Sequence, residues 1–298
     1  MGLGYPMLRL MADENDKGAS FESMATLGKQ VAYIRPAELK KLSQDLKKPP
    51  VTAEFGQVGE HLFKHFLHSK NITSFDVSDF ENATVTHDMN TPIDSKYYNK
   101  FDVVYDGGTL EHIFNFPIAI KNVMAMLKVG GHFFSCFGAN NYCGHGFYQF
   151  SFELMYQIFK PSNGFMVKQM LAMEHPYAGA ELSNKYKMYK VKNPEDVGQR
   201  IMCINGKPIM GHLVAQKLSD VEPFRFGVQQ SDYQARWNDC KNDDGQTSIA
   251  QNSSRTKIFR QKISHLLPKG LRQQLYGMSG RIYRNTLRNK KFFNKIKR

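Results

Sequence analysis

The sequence predicts an α/β protein with a Rossmann-like, mostly parallel sheet of seven strands, helices on both faces and a basic helical tail. Three observations lead to this prediction. Residues 101–137 have the pattern strand, helix, strand with short connections, which is typical of a right-handed βαβ unit. Other apolar segments of strand length alternate with helical patterns between residues 21 and 217. Positive charge is concentrated after residue 254.

Composition and charge restrict the classes of function. The chain has 298 residues, 41% of them hydrophobic, and a formal net charge of +13. Residues 255–298 contain 14 Lys or Arg and no Asp or Glu, so residues 1–254 carry a net charge of about −1. An argument for nucleic-acid binding from charge therefore concerns the tail alone.

Compartment signals are few. No run of about 18 apolar residues predicts a membrane-spanning helix, and no apolar segment near the N-terminus predicts a signal peptide. Four cysteines without a CxxC pair indicate reduced thiols. We expect a cytoplasmic protein, with the inner face of a membrane as an additional location.

The first part of the chain has a predicted arm, a strand and two helices. Residues 1–20 are expected to form an irregular arm or a weak helix. The strand over 21–28 stops at Gly28, where the absence of a Cβ lets the backbone approach a ligand. Helical patterns follow over 35–46 and 54–67. In the second helix His61, His65 and His68 share one face; we expect a solvated face, with a metal site as the alternative.

The remaining strands are bounded by turn and acidic residues. The predicted strands cover 72–77, 83–87, 101–105, 132–137, 165–173 and 208–217, and a helix with Ser151 as its N-cap covers 151–159. The main domain is expected to span 21–240, with an insert over 174–206 that forms either a lid or acceptor-binding wall or a disordered excursion. Residues 241–254 have linker composition.

Three segments in order carry a resemblance to a known family. FDVVYDGG, LEHI and MLKVGGHFF resemble the fourth strand, the following helix and the fifth strand of class I S-adenosylmethionine-dependent methyltransferases. The segment GHGFYQFS, residues 144–151, is similar to a narrower, poorly characterised group within that family. The resemblance implies S-adenosylmethionine as the cofactor and methyl transfer as the reaction.

The residues matched to cofactor binding lie at predicted strand ends. Asp76 is placed to accept from two ribose hydroxyls, although a turn-forming role is the alternative. The resemblance implies that Asp88 binds the adenine amino group and that the turn at Gly28 holds the methionine end. The further candidates for the cofactor pocket are Asp106, Gly107 and Glu111.

The first turn departs from the family pattern. Gly28 stands alone where an acidic residue followed by G-x-G is usual, which leaves a catalytically inactive binding domain as an alternative. A nicotinamide-dependent oxidoreductase is disfavoured because G-x-G-x-x-G is missing.

Methyl transfer requires alignment of the acceptor and, for a hydroxyl, removal of a proton. His112, expected to open the helix after the fourth strand, and His145, in the loop after the fifth, are the candidate bases. A pocket wall or helix start for His112 and a structural turn for His145 are the alternatives. No metal is assigned. Glu111, His112 and His145 partly match an E-x-x-E-H metal segment of some RNA and quinone-pathway methyltransferases, with Gly108 at the first glutamate position.

The predicted function is O-methylation of a small-molecule, glycan or lipid-linked acceptor, with an RNA 2′-O-methyltransferase as a further alternative. In the tail, residues 255–298, apolar side chains near helical spacing alternate with arginines. This pattern predicts a basic amphipathic helix on an anionic membrane surface, ahead of nucleic-acid binding and of a solvated, disordered tail.

Overall fold

The structure, a computed structural model, describes residues 2–177, 185–233, 268, 270–271, 273–274, 278 and 285–296. The predicted linker and most of the predicted tail lie outside the described residues. The strands are β1 Gly2–Gly4, β2 Ser23–Leu27, β3 Val31–Tyr33, β4 Gln57–Val58, β5 Asn71–Asp76, β6 Val85–Thr86, β7 Phe101–Asp106, β8 Leu127–Asn140, β9 Phe165–Glu174, β10 Lys187–Val191, β11 Ile209–Lys217 and β12 Phe293–Lys295. The helices are α1 Tyr5–Asp16, α2 Pro36–Asp45, α3 Glu60–Leu67, α4 Phe116–Met126, α5 Phe152–Ile158 and α6 Pro194–Val197.

The main sheet has the order β12-β10-β9-β11-β8-β7-β2-β5-β6. Strands β6, β5, β2, β7 and β8 pair in parallel, whereas β11 is antiparallel to both β8 and β9. The seven predicted strands, numbered along the chain, correspond to β2, β5, β6, β7, β8, β9 and β11. In this numbering their order in the sheet is 3-2-1-4-5-7-6. This is the dinucleotide-binding order with one antiparallel strand inserted before the last.

The strand order reverses between β2 and β7, where Leu27 is paired with Asp106. In open α/β sheets such a topological switch point opens a crevice at the carboxyl ends of the strands. The fold therefore favours a ligand site at the turns that follow β2 and β7.

Helices cover both faces of the sheet, as predicted. One face packs against α4 and α5 through a core that includes Val104, Ile120 and Met155. The other face packs against α1, α2 and α3 through Met7, Leu39 and Phe63, among others. Among the helices that the structure describes, none has the length and hydropathy needed to cross a membrane.

The N-terminal residues are more ordered than the sequence suggests. Helix α1 buries Met7, Leu8 and Met11, and β1 pairs in parallel with β3 in a small separate sheet of three strands. Residues 2–16 are therefore part of the domain and not an appended arm. In contrast, helix α3 is shorter than predicted, because Gly56 has a φ of +83° and a turn and β4 precede Gly59.

The prediction of seven strands is too low. Strand β10, in the insert, and strand β12, near the C-terminus, extend the sheet to nine strands in the described part of the chain. The predicted tail helix is wrong for residues 285–296, because β12 pairs with β10 and the side chains of Leu287, Phe292 and Phe293 are buried in the core. The prediction for the rest of the tail is largely outside the described residues.

Candidate active site

A cavity of about 300 Å³ opens at the carboxyl ends of β7 and β8. Its wall includes the turn after β7, the loop after β8, the start of α1 and residues of β1, β3, β8, β9 and β11. Arg35 and Glu38, at the start of α2, also line it. Of the candidates from the sequence, Gly107, Glu111, His112 and His145 line it.

The turn after β7 is held by Asp106. One oxygen of its buried carboxylate accepts from the backbone N–H of Thr109 (2.7 Å) and Leu110 (3.3 Å), and the other accepts from the Ser135 hydroxyl (2.7 Å). Burial raises the pKa of Asp106, and these hydrogen bonds oppose that rise. Since both oxygens are engaged, a cofactor contact at this turn falls to the backbone of Gly107.

Glu111 lies in the 3₁₀ turn Leu110–His112, and its side chain is 3% exposed. Its Oε2 is buried without a hydrogen-bond partner, while Oε1 lies 3.9 Å from Nε2 of His145. Burial, followed by the nearby charge of Asp106, raises the pKa of Glu111 to about 8. Glu111 is therefore an unusual buried acid directed at the histidines.

The two candidate bases are close together. The rings of His112 and His145 have centroids 5.3 Å apart. Burial and the neighbouring His145 lower the pKa of His112, which favours a neutral imidazole able to accept a proton. His112 does not open a helix as predicted. It ends the 3₁₀ turn, and α4 starts only at Phe116, with Pro117 in its first turn.

Backbone contacts explain why His145 reaches the turn after β7. The N–H of Tyr148 donates to the carbonyl of Glu111 at 3.2 Å. At Gly146 a Cβ would lie 2.7 Å from the same carbonyl, so only glycine allows this approach. The loop after β8 is therefore packed directly on the turn that carries Glu111.

The other cofactor candidates lie on the opposite side of the switch point and do not line this cavity. Gly28 follows β2 with a φ of +76°. At the end of β5, Oδ1 of Asp76 accepts from the N–H of Val77 at 2.7 Å. After β6, Oδ1 of Asp88 accepts from the backbone and side chain of Asn90, which lowers the pKa of Asp88. In Asp76 and in Asp88, only Oδ1 accepts hydrogen bonds from neighbouring residues.

Gln30, which the sequence did not indicate, lies between the residues that line the cavity and the cofactor candidates that follow β2, β5 and β6. Its Nε2 donates to the carbonyls of Leu27 (2.8 Å) and Gly28 (3.1 Å), and its Oε1 is buried without a hydrogen-bond partner. Gly107 has no space for a Cβ, because Gln30 Oε1 and the carbonyl of Gly2 lie there. The N–H of Gly2 donates to the carbonyl of Gly107 at 3.1 Å, so β1 crosses this point.

Several polar side chains of the cavity come from the insert and from β11. His175 and His212 are buried and, with Tyr186, line the cavity. His175 and Tyr186 belong to the insert over 174–206, for which the sequence predicted a lid or acceptor-binding wall or a disordered excursion. Burial, and then the proximity of His175, lowers the pKa of His212 to about 3. The one sequence signal for His212 is a lone polar residue inside an apolar strand.

The histidines of α3 are not gathered around a common point. Nε2 of His61 lies 3.0 Å from the carbonyl of Thr52, and Nε2 of His65 lies 3.0 Å from that of Pro49. The metal alternative at this face is therefore not supported. Among the described cysteines, Cys136, Cys143 and Cys203 are free thiols.

No protein-family model and no curated protein matches the chain. Solved structures resemble it at low identity. They include 1,6-didemethyltoxoflavin-N1-methyltransferase from Burkholderia thailandensis with bound S-adenosylhomocysteine (10% identity, 72% of this chain and 79% of that chain, TM-score 0.37). Two others are the YcgJ protein of Bacillus subtilis (10%, 72% and 99%, TM-score 0.41) and the branched-chain polyamine synthase of Thermus thermophilus (11%, 76% and 60%, TM-score 0.36).

At TM-scores below 0.5 these likenesses establish neither an activity nor a ligand for this chain. The fold is instead defined by the strand order, with its switch point between β2 and β7, and by the antiparallel β11 between β8 and β9. With the three sequence segments that span β7, the following turn and β8, the chain has a class I S-adenosylmethionine-dependent methyltransferase-like fold.

Proposed function

We propose that the protein is an S-adenosylmethionine-dependent methyltransferase that methylates an oxygen of a small-molecule, glycan or lipid-linked acceptor. The observation that carries the proposal is the division of the carboxyl edge into two parts. Asp76 and Asp88 lie on one side of the switch point, and the cavity with Glu111, His112 and His145 lies on the other. A reaction between two ligands needs such adjacent sites.

The residues on the first side fit the cofactor. The unengaged oxygen of Asp76 is available to the ribose hydroxyls, and that of Asp88 to the adenine amino group. At the switch point, the unpartnered Oε1 of Gln30 is an acceptor suited to the ammonium group of the methionine end, beside Gly28 and Gly107. The cofactor, when bound, supplies an electrophilic methyl group.

The residues on the second side suit an acceptor hydroxyl. His145 or His112 takes its proton, and the lowered pKa of His112 keeps that ring neutral near pH 7. Buried, neutral His212 and the neighbouring Tyr186 give the cavity polar groups without formal charge. Together with Arg35 and Glu38, which also line the cavity, these groups offer hydrogen-bonding partners to a polar acceptor such as a hydroxylated metabolite or a sugar.

A catalytically inactive binding protein is the second candidate, because one observation favours it. The space beside Gly107 is taken by Gln30 and by the carbonyl of Gly2. A domain that never binds the cofactor needs no open space beside Gly107. A filled space at this point is therefore what an inactive domain would show.

Calorimetric titration of the full chain with S-adenosylmethionine separates the two candidates. We expect binding that Asp76→Ala weakens by more than about tenfold, since loss of one charge-assisted contact costs about 1.4 kcal/mol or more. The matched control is Asp79→Ala, which removes an exposed carboxylate three residues away. No binding by the folded wild type would favour the inactive protein, and equal affinities of the two variants would refute the role of Asp76.

For the tail we propose contact with an anionic membrane surface, which suits a lipid-linked acceptor. Support comes from the 14 basic residues and the absence of acidic ones in residues 255–298. Since residues 285–296 are packed in the domain, the basic residues before them, such as Arg272, Arg281 and Arg284, are the candidates for this contact.

A further inference from the structure

Three side chains that follow neighbouring strands meet at the mouth of the cavity. Glu111 and His112 come after β7, and His145 comes after β8. One oxygen of Glu111 and one ring nitrogen of each histidine all lie within 4.8 Å of one another. Among the described residues, this is the one group of three or more His, Cys, Asp or Glu side chains that is close enough to hold a metal ion.

The spacing is near that of a metal site. Ligand atoms bonded to one zinc-like ion at about 2.0–2.2 Å lie roughly 3–3.5 Å apart. His112 and His145 are exposed side chains of loops, so small rotations would close the remaining gap. The backbone of Glu111 is held in place because its carbonyl accepts from the N–H of Tyr148, and its side chain is buried.

A second observation points to a ligand. Glu111 is 97% buried, and its Oε2 has no hydrogen-bond partner, which is costly for a carboxylate. Nε2 of His145 lies 3.9 Å from the other oxygen, Oε1. A bound cation would satisfy this oxygen.

We propose that Glu111, His112 and His145 bind a divalent transition-metal ion whose open coordination positions face the cavity. Two imidazoles and one carboxylate suit Zn²⁺, Fe²⁺, Mn²⁺ or Co²⁺ better than Mg²⁺ or Ca²⁺, which prefer oxygen ligands. A set of three protein ligands leaves room for water or substrate, as in catalytic metal sites.

Gly108 contributes to the open positions. A Cβ at this residue would lie 3.3 Å from Oε1 of Glu111, so a longer side chain there would reach the site. With glycine, that side of the ion faces the cavity. Resting on the proposed function, we further infer that an oxygen of the acceptor binds there, where the metal lowers the pKa of a hydroxyl. In the metal-bound protein this activation replaces a histidine base, because the ring nitrogens that bind the ion cannot also accept a proton.

The test uses the full chain after treatment with chelator, titrated with Co²⁺ in the absence of S-adenosylmethionine. Visible absorption reports protein ligands on the cobalt ion. We expect one ion per chain, with an affinity that Glu111→Gln and His145→Gln each lower at least tenfold. The matched control is His61→Gln, an exposed histidine of α3, which should bind as the wild type does.

Two results would overturn the metal site. One is equal cobalt binding by the wild type and Glu111→Gln; the other is loss of binding in His61→Gln alone, which would place the ion on α3. Thermal midpoints in EDTA, compared among all variants, show that each one is folded.

The outcome is separable from that of the proposed function. Calorimetry with S-adenosylmethionine is repeated in EDTA. Cofactor binding without a cobalt site would refute the metal inference and leave the methyltransferase proposal standing. A cobalt site without cofactor binding would support the metal site and refute the methyltransferase proposal.

Discussion

Replacement of Glu111 by glutamine gives a pH-dependent change in stability that can be worked out from the structure. Burial and the charge of Asp106 raise the pKa of this carboxyl from 4.5 to about 8 in the folded protein. In the unfolded chain the group ionises near 4.5, so the native state holds a proton that the unfolded state has lost. Stability of the metal-free wild type therefore falls as pH rises from about 4.5 to about 8.

At about 1.4 kcal/mol per pH unit, the carboxyl destabilises the fold by roughly 1–2 kcal/mol at pH 5.5 and by about 5 kcal/mol at pH 9. Glutamine has a similar shape and does not ionise. We expect the free energy of unfolding of Glu111→Gln, relative to the wild type, to increase by about 3 kcal/mol between these pH values.

The assay is urea unfolding in EDTA at pH 5.5 and pH 9. The control is Glu81→Gln, because Glu81 is exposed. The difference in free energy of unfolding between this variant and the wild type should not change with pH. The same stability difference between Glu111→Gln and the wild type at both pH values would refute the reasoning. In a parallel series without EDTA, saturation with Zn²⁺ should remove the advantage of the variant, since the wild-type carboxylate would then be paired.

Three further predictions concern catalysis, the C-terminus and the tail. We expect His112→Ala or His145→Ala, whichever removes the base, to lower turnover about 100-fold while cofactor affinity stays nearly intact. Normal turnover of both variants would exclude a histidine base. Phe293→Ala, at a buried position of β12, should lower the free energy of unfolding in urea by about 3 kcal/mol, and a loss under about 1 kcal/mol would contradict the docking of residues 285–296. Glutamine at Arg281 and Arg284 should reduce co-sedimentation with anionic vesicles; equal sedimentation would refute membrane contact, and retention of the wild type by RNA instead would favour nucleic-acid binding.

The sequence is sufficient for most strands of the main sheet. Strands β2, β5, β7, β8 and β9 appear as segments rich in apolar residues that stop at or near a glycine or an acidic residue, so their local pattern and their environment agree. Strand β12 has no such signal, because FNK is short and polar. It is stabilised by pairing with β10, as at Tyr189 and Lys295, more than a hundred residues apart.

One part of the site could be predicted from the sequence, because a βαβ unit makes its two strands parallel neighbours in the sheet. Glu111 and His112 follow β7, His145 follows β8, and neighbouring parallel strands end at the same edge. Gln30 and His212 were not predictable in this way. Gln30 gains its role from β1, which crosses the switch point, and His212 gains its role from the antiparallel insertion of β11.

The central claim is that the cofactor binds on the β2 side of the switch point and the acceptor on the β7–β8 side. Hydrogen–deuterium exchange of the full chain, with and without saturating S-adenosylhomocysteine, tests it most directly. The account predicts slower exchange in residues 28–30, 76–77, 88–90 and 107–109, and little change in β12. Protection confined to the loop around His145, or no protection in any segment, would contradict the account.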